Sequence, residues 1–199
     1  FRLLTDTGAT GFVTRGGRVV AVNAGKREIA ADECVIATGL QSVALAASVG
    51  VRLPIYPLKG YSLSAPIEAD HLAPEVSVTD AEHKVLYARI GDQLRVAAMA
   101  DIVGDDESID QGRIASLHRI VRAMMPRAAD YDRAIAWAGL RPATPGGAPI
   151  LGKTAVAGLW LNVGHGPLGF TFASGSARIL AALISQRESP IPLDGLTLA

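Results

Sequence analysis

The chain has 199 residues, 49% of them hydrophobic, with 19 basic and 19 acidic side chains and a formal net charge of zero. That length holds one large domain or two small ones with a sizeable core, and balanced charge without a long basic run excludes a nucleic-acid-binding class. The single cysteine, Cys34, excludes a disulfide framework or thiolate metal site, and without 18 uninterrupted apolar residues no membrane-spanning helix is expected.

The opening FRLL lacks an initiator Met and a signal-peptide pattern. It reads as the inside of a strand, so the expectation is a piece of a longer protein. Residues 19–22 and 28–31 suit a β-hairpin with Gly25 in its turn. Residues 34–38 form a continuous apolar run ending at Gly39, which fits a strand buried on both faces in a parallel sheet. LQSVALAASVG follows as a short helix, with Ser42 to cap its start and Gly50 its end.

Pro54, Pro57 and Pro66 rule out helix over residues 51–66 and mark a crossover into a second layer, with YSLSA as a strand. Residues 75–103 alternate as an antiparallel sheet, and Gly91-Asp92 between two strand patterns predicts a type II′ hairpin. Residues 110–125 read as a helix. Ile114, Leu117, Val121, Met124 and Met125 share one face, and Pro126 stops it. The methionines read as core packing. Residues 134–152 return as a strand plus turns, LWLNVG is a strand, and a last helix runs over residues 169–186 before an extended tail. The fold class is therefore mixed α/β: outer segments 1–50 and 139–199 share one layer, and an antiparallel sheet is inserted over 51–138.

Four stretches can carry chemistry. In NVGHGPLGF, Gly164, Gly166 and Gly169 lie between a strand and a helix. Helix N-termini expose unpaired N–H groups and partial positive charge, so this is a ready site for an anion or carbonyl oxygen; the alternative is a tight strand–helix connection. The spacing fits G-x-G-x-x-G, but Glu188, about 20 residues on, follows a helix and ends no second strand, so an independent dinucleotide fingerprint is rejected. His165 in this loop is either a ligand contact or a structural hydrogen-bonder. In GLRPATPGGAPILG, Arg141 has apolar neighbours; a partly buried guanidinium needs an anion, either a substrate carboxylate or an acid of the chain itself. VIATG leaves Thr38 and Gly39 at a strand's carboxyl end, where open α/β sheets bind ligands. In YPLKGYSL, Tyr56 and Tyr61 either line a pocket or pack. Asp105-Asp106-Glu107 reads as a solvated acidic turn. His71, His83 and His118 lack metal-ligand spacing, and no hydrolase constellation is present.

Together ADECVIATG, YPLKGYSL, LRVAAMADIVG, GLRPATPGGAPILG and LWLNVGHGPLGFTFASGSARILAALI resemble FAD-dependent D-amino-acid dehydrogenases, within the D-amino-acid oxidase and glycine oxidase group. The resemblance runs in order over nearly the whole chain. It implies a partial FAD-binding dinucleotide fold with an inserted substrate domain, and the C-terminal half of such a protein, since the FAD pyrophosphate fingerprint lies earlier in the family. It further implies FAD contacts at Ala9, Thr38, Gly39, Gly164, His165, Gly166, Pro167, Leu168, Gly169 and Phe170. Arg141 would hold the substrate carboxylate, with Tyr61 and His165 near the substrate; no further catalytic group and no metal is implied. The implied reaction oxidises a D-amino acid to an imine and then a 2-oxo acid by hydride transfer to flavin. Electrons would pass to a quinone or the respiratory chain, in the cytoplasm or peripherally at the inner membrane. The alternatives are an oxygen-using glycine or sarcosine oxidase, or a folded module without activity. A homo-oligomer formed through an uncovered sheet edge stays open.

Overall fold

The computed structural model describes residues 2–198. The chain forms two compact units, one built from the residues up to Tyr56 and from Arg141 onward, the other from Pro57–Leu140. The boundaries differ from the expected 50/51 and 138/139. Residues 51–55 stay with the first unit because Val51 and Leu53 are buried in its core.

In the first unit, β1 (Ala9–Arg15), β2 (Arg18–Ala24) and β3 (Arg27–Ala30) make an antiparallel meander. The β2–β3 hairpin turns at Gly25 as the sequence predicts. The described residues before Ala9 form no strand, against the expectation for the opening segment. Next come β4 (Cys34–Ile36) and α1 (Ser42–Ala47). Cys34 and Ile36 are buried but Val35 is 43% exposed, so β4 is covered on one face rather than two. Ser42 does not cap α1 from outside; it is the first helical residue, and its hydroxyl turns back to the strand end.

A five-stranded sheet in the order β6-β7-β8-β5-β9 lies mostly in the second unit; Tyr56 at the start of β5 and residues 141–143 at the end of β9 fall to the first. Its strands are β5 (Tyr56–Pro66), β6 (Val78–Asp80), β7 (Val85–Ile90) and β8 (Gln93–Asp101), followed by helix α2 (Gln111–Met124) and then β9 (Ile135–Ala143). The β7–β8 turn has Gly91 at φ 62 with Asp92 at ordinary φ, which fits type II′. Asp110 caps α2 by accepting the Arg113 N–H at 2.9 Å. Ile114, Leu117 and Val121 bury against Tyr61, Leu63, Ala65, Val85, Tyr87, Leu94 and Val96, whereas Met124 is half exposed. This apolar core is what period-two alternation on one side and a helical stripe on the other dictate.

Returning to the first unit, β10 (Ile150–Lys153) and β11 (Leu159–Val163) precede α3 (Gly169–Ile184). β11 pairs antiparallel with β10 and parallel with β4, so the two outer segments of the chain share one sheet. The tail is tied down where Leu151 N–H donates to the Leu196 carbonyl. With its preceding 3-10 turn, α3 spans Gly166–Ile184, 19 residues, which is long and apolar enough by composition to cross a membrane. This differs from the expectation, because Gly and Ser interrupt the apolar run without adding charge. The helix also packs on the sheet: Ser176, Ile179 and Leu180 are buried.

Candidate functional site

The parallel register of β4 and β11, with Leu159 opposite Cys34 and Leu161 opposite Ile36, brings both carboxyl ends to one edge of the first unit. Each strand there gives way to a glycine turn. After β4, Gly39 sits at φ +58, and a Cβ built on it would meet nothing within 4 Å. After β11, Gly166 sits at φ +54, again with open space where a side chain would project. These left-handed conformations favour glycine, and here the missing side chains leave backbone exposed to anything that sits over the edge.

Gly164 answers a different need. At φ +75 its Cβ would lie 2.6 Å from Thr144 Cγ2, so glycine is required for the close approach of the β11 end to the 143–149 turn. Thr144 is itself pinned, its hydroxyl donating to the Ala148 carbonyl at 2.7 Å.

Pro167 opens the 3-10 turn Gly166–Leu168, and α3 begins at Gly169. Neither helix start has a side-chain cap or an acidic residue in its first turn. The first N–H groups of α3 therefore keep their partial positive charge for an external acceptor. Leu168 and Phe170 are exposed beside them, Phe170 at 98%. An acceptor-rich, partly apolar ring fits this arrangement of open glycines, uncapped N–H groups and apolar side chains.

His165 is half-buried and turns inward: its Nε2 lies 3.0 Å from the hydroxyl of buried Ser176, and burial lowers its pKa from the ordinary 6.5. The ring thereby ties the loop to the second turn of α3. Thr38 is similarly committed. Its N–H donates to Ser42 Oγ at 3.2 Å, and its own hydroxyl lies 3.0 Å from the same atom. Gly39, directly after it, keeps the open side of the turn. Arg141 lies in β9 just ahead of the Thr144 turn, half-buried as its apolar neighbours suggest, and desolvation lowers its guanidinium pKa. Ala9 lies elsewhere in this unit, exposed at the start of β1 and opposite Ala24 on the separate meander.

Tyr61 belongs to the second unit and needs correction as a pocket-lining residue. It is 2% exposed, on the face of β5 that carries Leu63 and Ala65 into the core. Burial first, and then a hydrogen bond to the Asp101 carboxylate, push its hydroxyl pKa up. Its near neighbour Lys59 lies between the two tyrosines of YPLKGYSL and has no assigned role from the sequence. At 1% exposed, Lys59 donates from Nζ to Asp106 Oδ2 at 2.9 Å and stands 5.6 Å from the Tyr61 ring centre. Burial alone would lower the ammonium pKa, but the hydrogen bond and charge of Asp106 outweigh it and the net shift is upward. The Asp105–Glu107 turn is exposed to solvent as expected, and within it Asp106 is also tethered, held at about 2 by Lys59 and by two hydrogen bonds from Ser108. The available signal was period two: Lys59 shares the parity of Tyr61, Leu63 and Ala65, and so points inward with them.

Among the described residues no cluster of three metal-ligating side chains exists. A family model described as DAO, FAD dependent oxidoreductase, matches residues 1–183. The chain is 48% identical to D-amino acid dehydrogenase 2 of Pseudomonas aeruginosa over 195 residues, 98% of this chain and 47% of that protein. It is 46% identical to a D-amino acid dehydrogenase of Paramagnetospirillum magneticum over 181 residues, 91% of this chain and 43% of that protein. The fold matches the crystal structure of glycine oxidase from Geobacillus kaustophilus with a TM-score of 0.83 and 23% identity, over 97% of this chain and 52% of that one. The chain thus spans about half the length of the relatives it matches.

Proposed function

The chain belongs to the DAO family of FAD-dependent oxidoreductases, and from that premise we propose that the gene product containing it oxidises D-amino acids to imines, which water converts to 2-oxo acids. The observation that carries this reading is the shared edge where β4 and β11 end in open, positive-φ glycines before the uncapped start of α3. The relatives named D-amino acid dehydrogenase set the substrate class.

FAD, when bound, supplies the acceptor for the substrate's α-hydrogen and bonding pair. The chain's own residues bind, orient and stabilise. The N–H groups of Gly166, Gly169 and Phe170 and the α3 dipole favour negative charge, so they would hold the edge of the bound group on which negative charge develops; Pro167 has no N–H, and the Leu168 N–H already donates to the His165 carbonyl. Gly39 lets the backbone approach the cofactor closely, Thr38 holds that turn rigid through Ser42, and Ala9 contributes backbone near the adenine. Arg141 fixes the substrate carboxylate, since its planar fork matches that group and its half-buried position strengthens the pairing. His165 holds the loop in register. No proton-transfer residue is required beyond solvent, which fits a site built from backbone and one guanidinium.

Electrons leave for a quinone or another respiratory-chain acceptor at the inner membrane, in keeping with relatives named dehydrogenases. The test uses the purified full gene product, a panel of D-amino acids, and parallel assays of dye reduction and peroxide. Dye reduction dependent on D-amino acids without peroxide supports the reading. Peroxide formed at the rate of substrate loss assigns the oxidase branch instead, and no turnover of any D-amino acid sinks the substrate class.

A further inference from the structure

The amino ends of β4 and β11 lie at the other end of these parallel strands, away from the glycine turns. There, together with the end of β10 and the last turn of α3, they surround a cavity of about 310 Å³ wholly within the first unit. That is the size of a small-molecule site, and the reaction proposed above has no use for it.

The walls are chemically divided. Val156, Leu159, Leu183 and Ile184 give an apolar side. The lining also holds Arg18, Glu33 and Lys153, with Trp160. Both carboxylate oxygens of Glu33 are occupied: Oε1 accepts from Arg18 Nη2 at 2.6 Å, and Oε2 accepts from Trp160 Nε1 at 2.5 Å. Arg18 Nη2 also donates to the Asp32 carbonyl. The Trp160 hydrogen bond and the Arg18 pairing hold the Glu33 carboxyl below its usual range, so it stays charged. Lys153 lies with Nζ 5.3 Å from the Trp160 ring centre and has no carboxylate at ion-pair distance among the described residues. Two cations therefore face one carboxylate, each of whose oxygens already accepts a hydrogen bond from another group. The lining carries one uncompensated positive charge beside an apolar wall.

We propose that this cavity binds a small organic acid, its carboxylate on Lys153 and its short apolar body against Leu183 and Ile184. A bare inorganic anion would leave the apolar wall unused, and an organic cation would meet the wrong sign of charge.

Trp160 lies beneath Lys153 and reports on the cavity. The full gene product is titrated with butyrate, butylamine and sulfate at constant ionic strength while indole emission is followed, and the same titration of a Trp160→Phe variant identifies the part of the change that comes from Trp160. Butyrate should change the emission saturably, with a dissociation constant on the order of 1 mM for a ligand this small. Butylamine and sulfate should give no saturable change. Adding Lys153→Met should weaken butyrate at least about tenfold, the loss of one charge-assisted hydrogen bond, with melting temperature and far-UV circular dichroism unchanged. Lys153→Arg should keep most of the binding, and it carries the comparison should the Met variant misfold. Absence of saturation by butyrate, equal saturation by sulfate or butylamine, or unchanged butyrate binding in folded Lys153→Met would each overturn the proposal.

Discussion

Gly164 and Gly166 share a loop and a left-handed backbone, yet the structure assigns them different reasons for being glycine. This makes a sharp test. Replacing Gly166 by Ala at φ +54 meets no neighbour within 4 Å, so only the conformational term applies. That is about 1–2 kcal/mol for an L-residue in this region, reduced by about 0.4–1 kcal/mol because the unfolded chain also loses freedom. The net loss should be about 1 kcal/mol. Gly164→Ala carries the same conformational term at φ +75, plus a methyl placed 2.6 Å from Thr144 Cγ2. Thr144 cannot rotate away without giving up its 2.7 Å hydrogen bond to the Ala148 carbonyl. Overpacking of this kind costs about 1–3 kcal/mol, for a total near 2–4 kcal/mol. Thr144→Ser removes the clashing methyl and keeps the hydroxyl, so in the Gly164→Ala background it should recover most of the overpacking part. The double-mutant cycle should thus show coupling of about 1–3 kcal/mol. In the 199-residue chain, urea denaturation in a Trp137→Phe background, followed by Trp160 emission, reads the first unit, because Trp160 is only 5% exposed there. Equal losses at the two glycines, or no coupling between positions 144 and 164, would refute the assignment of Gly164 to close packing.

Further outcomes follow from the same structure. In the full gene product, Arg141→Ala should lower kcat/KM by about tenfold to a few hundredfold, the loss of a charge-assisted pair of roughly 1.5–3 kcal/mol; an unchanged value would remove Arg141 from substrate binding. Leu117→Ala, at a fully buried α2 position, should destabilise the second unit by about 2–5 kcal/mol in denaturant titration, whereas Met124→Ala on the exposed side of the same helix should change little. His118 and His165 both have pKa values lowered by burial from the ordinary 6.5, so the unfolded chain binds more protons than the native one near and below that pH. Stability should therefore be fully present above pH about 6.5 and decline as pH falls below it, and the double variant His118→Gln/His165→Gln should flatten that slope in melting curves taken across pH 5–8. Asp110→Ala removes the α2 cap, which accepts the Arg113 N–H, and should cost about 1 kcal/mol in the same titration.

What could be read before the structure, and what could not, divides along a physical line. Turn chemistry and hydrophobic period are local, so the Gly25 and Gly91 turns, the α2 stripe and the glycine-rich start of α3 were all legible from neighbouring residues. The one-sided cover of β4 was not, because a three-residue apolar strand reads the same whether one face or two is packed. Side-chain commitments across the sheet were also hidden. Lys59 and Asp106 are 47 positions apart, and Trp160 and Glu33 are 127 apart. In each case one partner looked like ordinary surface charge until the fold supplied the other. His165 and Tyr61 show the converse: each had a residue type suited to a ligand, but the backbone aimed His165 at Ser176 and Tyr61 into the core. The cradle survives this sorting because it depends on no side chain's aim. It is made of N–H groups and missing Cβ atoms, whose positions follow once two parallel strands end at one edge, and that parallel pairing is the long-range fact the glycine motif alone could not contain.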